Sequence, residues 1–236
     1  MTLAPRLEIL PPVQRQLWPS LRGLASAGFV LYGGTAIALR CGHRVSVDFD
    51  FFTARPLDRA GLQRLLPWLK SSTVLQDQPG TFTVLSAGDA ARQDGVKVSF
   101  FGGLSIGQVA EPEPSSDGVA LLASPLDLLA TKLNVLLQRA ERKDYDDVAV
   151  LLASGLTLTE GLGAARALYG SAFPVSEALK ALVYFADGDL GELPAATQQQ
   201  LIEAVRAVDA IPTLEHSSLD LSPSQPLRGA PTGTVE

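Results

Sequence analysis

Two aspartates, Asp48 and Asp50, have the spacing and the chemistry of a metal site. They lie in the segment 45–52, Val-Ser-Val-Asp-Phe-Asp-Phe-Phe, in which apolar and polar residues alternate. On a strand, residues two apart point to the same face, with Cα atoms about 7 Å from each other. Aspartate is unfavourable in strands and like charges on one face repel, so the pair is suited to gripping a hard cation, Mg²⁺ or Mn²⁺. The pattern alone leaves metal binding and a structural role equally open.

A glycine pair and a threonine, Gly33-Gly34-Thr35, precede the aspartates by about a dozen residues. They follow the apolar run 28–32, which predicts a buried strand that turns into a short helix over 35–40. Glycine lets backbone amides approach a phosphate, the start of a helix adds positive charge, and the Thr35 hydroxyl is available to a phosphate or to metal-bound water. A Gly-Gly pair after a strand is most often only a turn, but its combination with the aspartates is more specific than either part.

Lys132, Arg139 and Lys143 form a third group, in the second half of the chain. Their spacing places all three on one face of a continuous helix, where they would suit a polyphosphate. A solvated basic face explains Arg139 and Lys143 equally well, whereas Lys132 lies in an apolar stretch and is expected to have a partner. Of the acidic residues that follow, Asp144 is favoured as part of the site. Asp146 and Asp147 are expected to be helix-cap or surface charges.

The elements that must position these residues predict an α+β fold. A small mixed sheet flanked by helices precedes a helical C-terminal half, and the active cleft lies between them. Helix starts are marked by Ser124-Pro125 and Thr157, with Asp127 and Glu160 placed to complete capping boxes. The predicted strands are 28–32, 45–52, 81–86 and 96–101. The segment 7–27 is predicted to form one helix or two short ones, and the other predicted helices are 35–40, 57–69, 143–153, 157–170, 176–186 and 195–210, with one more beginning at 124.

Domain limits follow from composition. The polar, proline-bearing segment 111–118 predicts a boundary between a sheet domain, 1–110, and a helical domain, 119–211. Residues 212–236 are rich in Pro, Ser, Thr and Gly and are expected to form a disordered tail.

The composition excludes several classes of function. The chain of 236 residues has a net charge of −6, which argues against electrostatic binding of nucleic acid over a broad surface. A single cysteine excludes an internal disulfide, and one cysteine with two histidines argues against a zinc site. We read Cys41 as a small buried apolar residue and His43 as a loop residue at the surface. The chain shows neither a signal-like segment nor a membrane-length apolar run, so a cytoplasmic protein without a membrane partner is expected.

These motifs resemble the AbiEii/AbiGii family, nucleotidyltransferase-fold toxins of bacterial type IV toxin–antitoxin and phage-abortive systems. The similarity is in Leu-Tyr-Gly-Gly-Thr-Ala-Ile-Ala-Leu at 31–39, Gly-His-Arg at 42–44 and Ser-Val-Asp-Phe-Asp-Phe-Phe at 46–52. It continues in Lys132, Arg139 and the segment Lys-Asp-Tyr-Asp-Asp at 143–147, which is similar to the family's lysine followed by an Arg-Asp-x-x-Asp element. Together the similarity spans roughly residues 31–152.

The resemblance implies transfer of a nucleoside monophosphate from a nucleoside triphosphate, with magnesium, to an acceptor hydroxyl. The acceptor would be RNA, a protein or a small molecule, and a cognate antitoxin is a further partner. By position, Asp48 and Asp50 would hold the metal and Lys132 would pair with the triphosphate. Asp144 would be the additional acid. The implied phosphate contacts are Gly33, Gly34, Thr35, Arg44, Ser46 and Arg139.

One strand departs from the pattern of the superfamily, in which a neighbouring strand usually supplies a third carboxylate. The matching strand here, 96–101, offers Lys97 and Ser99 on the active parity. A serine hydroxyl does not replace a carboxylate as a base and binds magnesium poorly. Either Asp144 supplies the acid, or the protein binds nucleotide without efficient transfer. An antibiotic-modifying nucleotidyltransferase is a further alternative.

Overall fold

We describe the protein from a computed structural model, which covers residues 2–87, 95–171 and 173–222. Within these residues the strands are β1 Val30–Tyr32, β2 Asp48–Phe52, β3 Thr73–Gln78, β4 Thr81–Leu85, β5 Lys97–Phe101, β6 Glu113–Pro114 and β7 Leu121–Leu122. The helices are α1 Pro12–Leu17, α2 Gly33–Cys41, α3 Arg59–Leu65, α4 Pro125–Val135, α5 Arg142–Ala153, α6 Leu158–Tyr169, α7 Val175–Leu182 and α8 Ala195–Arg206. The α+β prediction is confirmed.

The strands form one seven-stranded mixed sheet in the order β3-β4-β5-β2-β1-β7-β6. Strand β2 is antiparallel to β1 and parallel to β5, so the strand with the two aspartates lies at the centre. The alternating sequence of β2 explains its two faces. Phe49 and Phe51 are fully buried, and the Phe51 ring stacks on Phe100 of β5 with centroids 6.0 Å apart. Asp48 and Asp50 therefore point to the opposite face, as predicted.

Helix α2 connects β1 to the aspartates and packs under the sheet through Ala36, Ile37 and Leu39, which are fully buried. It begins at Gly33 and ends before Gly42, whose φ of 65° forms a left-handed cap that ordinary residues adopt at a cost. The short connection 43–47 then brings the chain back to β2. A glycine at each end of α2 thus allows the tight turns that the predicted turn–helix–strand unit requires.

The helical half packs most closely between α4 and α6. A Cβ at Gly161 would come within 2.5 Å of the Leu129 side chain, so the glycine allows the close approach of the two helices. Ser124 caps α4 by accepting from the amide of Asp127 at 3.0 Å, as predicted. The Asp127 carboxylate instead accepts from the amide of Val109 at 2.9 Å, which ties α4 to the segment before it. The capping box at Thr157 and Glu160 is present.

Several boundaries differ from the predictions. The sheet continues past residue 110, because β7 pairs with β1 and β6 pairs with β7, so segment 111–118 joins two parts of one sheet. Residues 212–222 are not a disordered tail: Leu221 is fully buried and Ser218 accepts from the Gln108 amide at 2.9 Å. Residues 223–236 lie outside the described residues. Strand β2 begins only at Asp48, which leaves Val45 and Val47 exposed at 55% and 59%.

In the described part of the chain, no single helix is long and apolar enough to cross a membrane. Helices α5 and α6 reach the required length and composition only as a pair, across a bend of 117°.

Candidate active site

A cleft of about 640 Å³ lies over the first residues of β2 and β5, between the sheet and the corner that joins α4 to α5. It brings together most of the predicted site residues from both halves of the chain. The residues that line it are Gly34, Arg44, Val45, Ser46, Val47, Asp48, Asp50, Leu75, Gln76, Thr83, Lys97, Ser99, Phe101, Lys132, Arg139 and Lys143.

The carboxylates form one wall of this cleft. Asp48 lies opposite Lys97 and Asp50 opposite Ser99 in the parallel pairing of β2 with β5. The Lys97 ammonium is 2.8 Å from the Asp48 carboxylate. Burial raises the pKa of Asp50, and the charge of Asp48 raises it further, although Lys97 and the Ser99 hydroxyl act against this rise. The charge of Asp48 thus disfavours the ionised form of Asp50, and a cation bound between them would relieve this repulsion.

The absence of side chains at Gly33 and Gly34 allows other side chains of the site to lie against the start of α2. At Gly33, whose φ is +73°, a Cβ would lie 2.7 Å from a carboxylate oxygen of Asp50. At Gly34 a Cβ would lie 2.5 Å from Arg44 Nη2 and 3.0 Å from Ser46 Oγ. The start of α2 can approach Asp50 and Arg44 this closely only because neither position carries a side chain. Phosphate binding by the amides of this turn remains a prediction.

Thr35 does not line the cleft, contrary to the role expected for it. Its side chain is buried, its hydroxyl is hydrogen-bonded to the backbone carbonyl of Asp48, and the oxygen lies 2.9 Å from Ser46 Oγ. The hydroxyl is therefore used to fix the first residue of β2 and to orient Ser46, whose own side chain does line the cleft.

Lys132 stands on the opposite wall and has the partner that its apolar surroundings predicted. Its Nζ lies 2.6 Å from Asp144 and 2.7 Å from Asp147, and its side chain is only 8% exposed. Both aspartates are carried by α5 and are fully buried. Two carboxylates hold the ammonium at the surface of the cleft and restrict its position.

Asp147 is a buried carboxylate with several cationic partners and is not the surface charge that was expected. One of its oxygens accepts from Arg44 Nε at 2.8 Å and the other from Arg44 Nη2 at 2.7 Å. His43 Nε2 lies 2.7 Å from the first oxygen, so this histidine is not a free surface residue either. Burial alone would raise the pKa of Asp147, but the bonds from His43 and Arg44 and the charge of Lys132 lower it to about 2. Asp147 thus joins the loop before β2 to the helical half.

Asp144 does not supply the missing third carboxylate. It accepts from Arg139 Nε at 2.8 Å and from Lys132, and these contacts hold its pKa below the ordinary value in spite of its burial. Among the described residues no three Asp, Glu, His or Cys side chains are grouped closely enough to hold a metal ion. A carboxylate neutralised by two cations is a poor base, so Asp144 positions Lys132 and Arg139.

The expected continuous helix of Lys132, Arg139 and Lys143 is wrong, because α4 ends at Val135 and α5 begins at Arg142. The corner between the helices nevertheless brings all three to the cleft. Lys143 pairs with Glu141 at 2.6 Å. Asp146 lies 3.5 Å from Arg142 and is partly exposed, outside the residues that line the cleft.

The donor set fits a single hard cation. Asp48 and Asp50 present carboxylate oxygens on one face, which matches the one or two carboxylates that Mg²⁺ takes in sites where substrate phosphates complete its shell. No third carboxylate of the described chain joins them.

Sequence reasoning missed the side of the cleft formed by Leu75 and Gln76, because β3 was not anticipated. Thr83 lies on the predicted strand β4 but was not singled out as a site residue. The signal was present in Pro79-Gly80, a turn dipeptide between the two strands of the β3–β4 hairpin. Asp147 could have been found as well, since a residue three positions after Asp144 lies on the same face of a helix.

A central strand with two carboxylates, a glycine turn that opens the next helix, and a facing cationic wall define the protein as a nucleotidyltransferase. Residues 21–212 match the family described as "Nucleotidyl transferase AbiEii toxin, Type IV TA system", and the chain belongs to this family. Membership implies nucleotide substrates and a cognate antitoxin. The suspected resemblance and the enzyme class are thereby confirmed.

The chain is also similar to two other proteins, one in sequence and one in fold. An uncharacterized protein of Aquifex aeolicus (strain VF5) is 33% identical over 162 residues, which make up 67% of this chain and 74% of that protein. The structure of MenT4, a nucleotidyltransferase toxin from Mycobacterium tuberculosis H37Rv, superposes with a TM-score of 0.56 at 14% identity and covers 81% of this chain and 82% of that chain. The second likeness shows the shared fold.

Proposed function

We propose that the protein is a toxin that transfers a nucleoside monophosphate from a nucleoside triphosphate to an acceptor hydroxyl with the help of Mg²⁺. One observation carries the proposal: Asp48 and Asp50 face, across one cleft, a lysine and an arginine that buried aspartates hold in place. A divalent ion held by Asp48 and Asp50 would neutralise phosphate charge and orient the triphosphate.

The residues of the chain then bind and align the substrate. Lys132 and Arg139 donate to triphosphate oxygens, and the start of α2 at Gly34 faces the same charge. The acceptor oxygen bonds to the α-phosphorus, the bond from that phosphorus to the β-bridging oxygen breaks, and pyrophosphate leaves. The proton of the hydroxyl passes to water. Positioning and charge neutralisation are the main contributions a protein makes to such a transfer.

The charge of the cleft supports an anionic acceptor. Of the described lining residues, five are cationic and two are acidic. The acids that pair with four of these cations, Asp144, Asp147 and Glu141, do not line the cleft, so the donors that face it suit the phosphates of an RNA end. A cationic aminoglycoside would meet only two carboxylates there, those of Asp48 and Asp50. RNA is therefore the acceptor that we propose, ahead of a protein and of an antibiotic.

The assay is incubation of the protein with each α-³²P-labelled nucleoside triphosphate, Mg²⁺ and a total-RNA pool. We expect label on RNA with the wild type and none with Asp48→Asn/Asp50→Asn, a loss of at least about a thousandfold since both metal contacts go. Asp77→Asn, which removes an exposed carboxylate on β3, is the control and should keep the activity. Label on a protein or on a small molecule instead of RNA would contradict the proposed acceptor.

A second candidate is a module that binds nucleotide and metal with little turnover, favoured by Ser99 opposite Asp50 where an acid is expected. Calorimetry separates the two. Metal-dependent binding of a triphosphate without label transfer to any pool would select the binding module. Unchanged binding in Asp48→Asn/Asp50→Asn would contradict both.

A further inference from the structure

Lys97 occupies a position that the proposed reaction has not yet used. The parallel pairing places it opposite Asp48, and its ammonium lies 2.8 Å from that carboxylate. The next residue of β5 on the same face, Ser99, lies opposite Asp50. From this strand the cleft thus receives one positive charge and one neutral hydroxyl, and no acid.

The carboxylates of Asp48 and Asp50 are too few to hold two divalent ions. Two-metal sites place their ions about 3.5–4 Å apart and stabilise them with shared carboxylates. Here only Asp48 and Asp50 are near, and no third acid of the described chain joins them. Lys97 already places a positive charge beside Asp48. A second divalent ion would meet repulsion without a ligand to offset it.

We propose that the cleft binds one divalent cation, on Asp48 and Asp50, and that the Lys97 ammonium takes the place of a second. This inference rests on the proposed nucleotidyl transfer. The Lys97 side chain is 43% exposed and flexible, so it can leave Asp48 when the ion binds there and donate to an oxygen of the α-phosphate. Lysine is a compact point charge and supplies the neutralisation that a metal would otherwise provide.

The proposal requires that Lys97 and a cation compete for Asp48 in the nucleotide-free protein. Titration with Mn²⁺ alone tests this by calorimetry. Lys97→Gln should bind Mn²⁺ about tenfold more tightly than the wild type, because one positive charge next to a doubly charged ion is removed. The matched control is Lys143→Gln, which removes a charge from the same cleft that pairs with Glu141 and not with Asp48. Equal gains in the two variants would overturn the proposal.

Counting the ions provides the second measurement. Crystals of the protein with α,β-methylene analogues of the four ribonucleoside triphosphates and Mn²⁺ should show one anomalous peak at Asp48 and Asp50, with Lys97 Nζ on the α-phosphate. Two peaks in a bound complex would overturn the single-ion inference and leave the proposed function intact. Failure of all four analogues to bind would instead overturn the proposed function.

Discussion

The two walls of the cleft hold their charges in opposite ways. On the sheet side, the Asp48 side chain is 36% exposed and its partner Lys97 is 43% exposed. On the helical side, Asp144 and Asp147 are fully buried and each holds at least two cationic groups. The first wall is free to exchange partners, which an ion-binding wall must do. The second is preorganised, which lowers the cost of binding a polyphosphate.

Removing Asp147 should produce the largest loss of stability, because it disrupts the buried ion pairs that distinguish the helical wall from the sheet wall. Asp147→Ala leaves His43, Arg44 and Lys132 without a shared buried carboxylate, and we expect a cost of about 3–5 kcal/mol in the free energy of unfolding. Asp48→Asn, the same residue type on the other wall, should change it by less than about 0.5 kcal/mol. Denaturant unfolding of both variants measures the difference, and equal costs would refute it.

Lys132→Gln should weaken triphosphate binding by about 1.5–3 kcal/mol, the usual value of a charge-assisted contact. It should also lower stability, since Asp144 and Asp147 lose a cation but retain Arg139 and Arg44. Calorimetric titration with a nonhydrolysable triphosphate measures the first effect and thermal unfolding the second. An unaltered affinity would place Lys132 outside the substrate contacts.

Acid should affect the helical wall in a defined range. The pKa of Asp147 is lowered to about 2, so its stabilising contribution is complete above the ordinary carboxylate value and disappears as the pH falls from about 4 through 2. The lost stability should be about 2 kcal/mol. The pKa of Asp50 is raised in the folded protein, so protonation of Asp50 at low pH favours the folded state and works against this loss. The measurement is the free energy of unfolding as a function of pH, for the wild type and for Asp147→Asn. The variant should lack this acid-dependent loss.

Lys143→Gln should have the smallest effect. Its pairing partner Glu141 is 40% exposed and its own side chain 51%, and exposed pairs contribute about 0.2–1 kcal/mol at most. We expect stability within about 0.5 kcal/mol of the wild type and a loss of triphosphate affinity of only a few-fold, since the charge lies at the cleft edge. A loss of triphosphate affinity as large as that of Lys132→Gln would show that the exposed Lys143 and the buried, paired Lys132 contribute equally to binding.

The sequence was sufficient for the parts of the site that depend on local periodicity. The parity of Asp48 and Asp50, the turn at Gly33-Gly34 and the cap at Ser124 follow from two-residue alternation and from helix-end chemistry, and the structure has all three. These features are set by neighbours in the chain. Family membership was visible for the same reason, since its motifs are short and contiguous.

What the sequence did not reveal depends on contacts between distant segments. His43 and Asp147 are 104 positions apart, and no local pattern indicates that they meet. Thr35 looked like a phosphate contact because its type and place fit one, but the return of the chain at Asp48 covers it. Asp144 looked like a catalytic acid for a similar reason, and its burial behind Lys132 became visible only with α4 and α5 in place.

The bonds of Asp147 also restrict how the cleft can move. Arg44 and His43 precede β2, and Asp147 lies on α5, so any hinge motion that widened the gap between sheet and helices would have to separate a bidentate ion pair and a second buried contact together. These contacts make such an opening of the cleft energetically costly. We therefore expect substrates to enter and products to leave along the cleft without a hinge movement of the sheet against the helices.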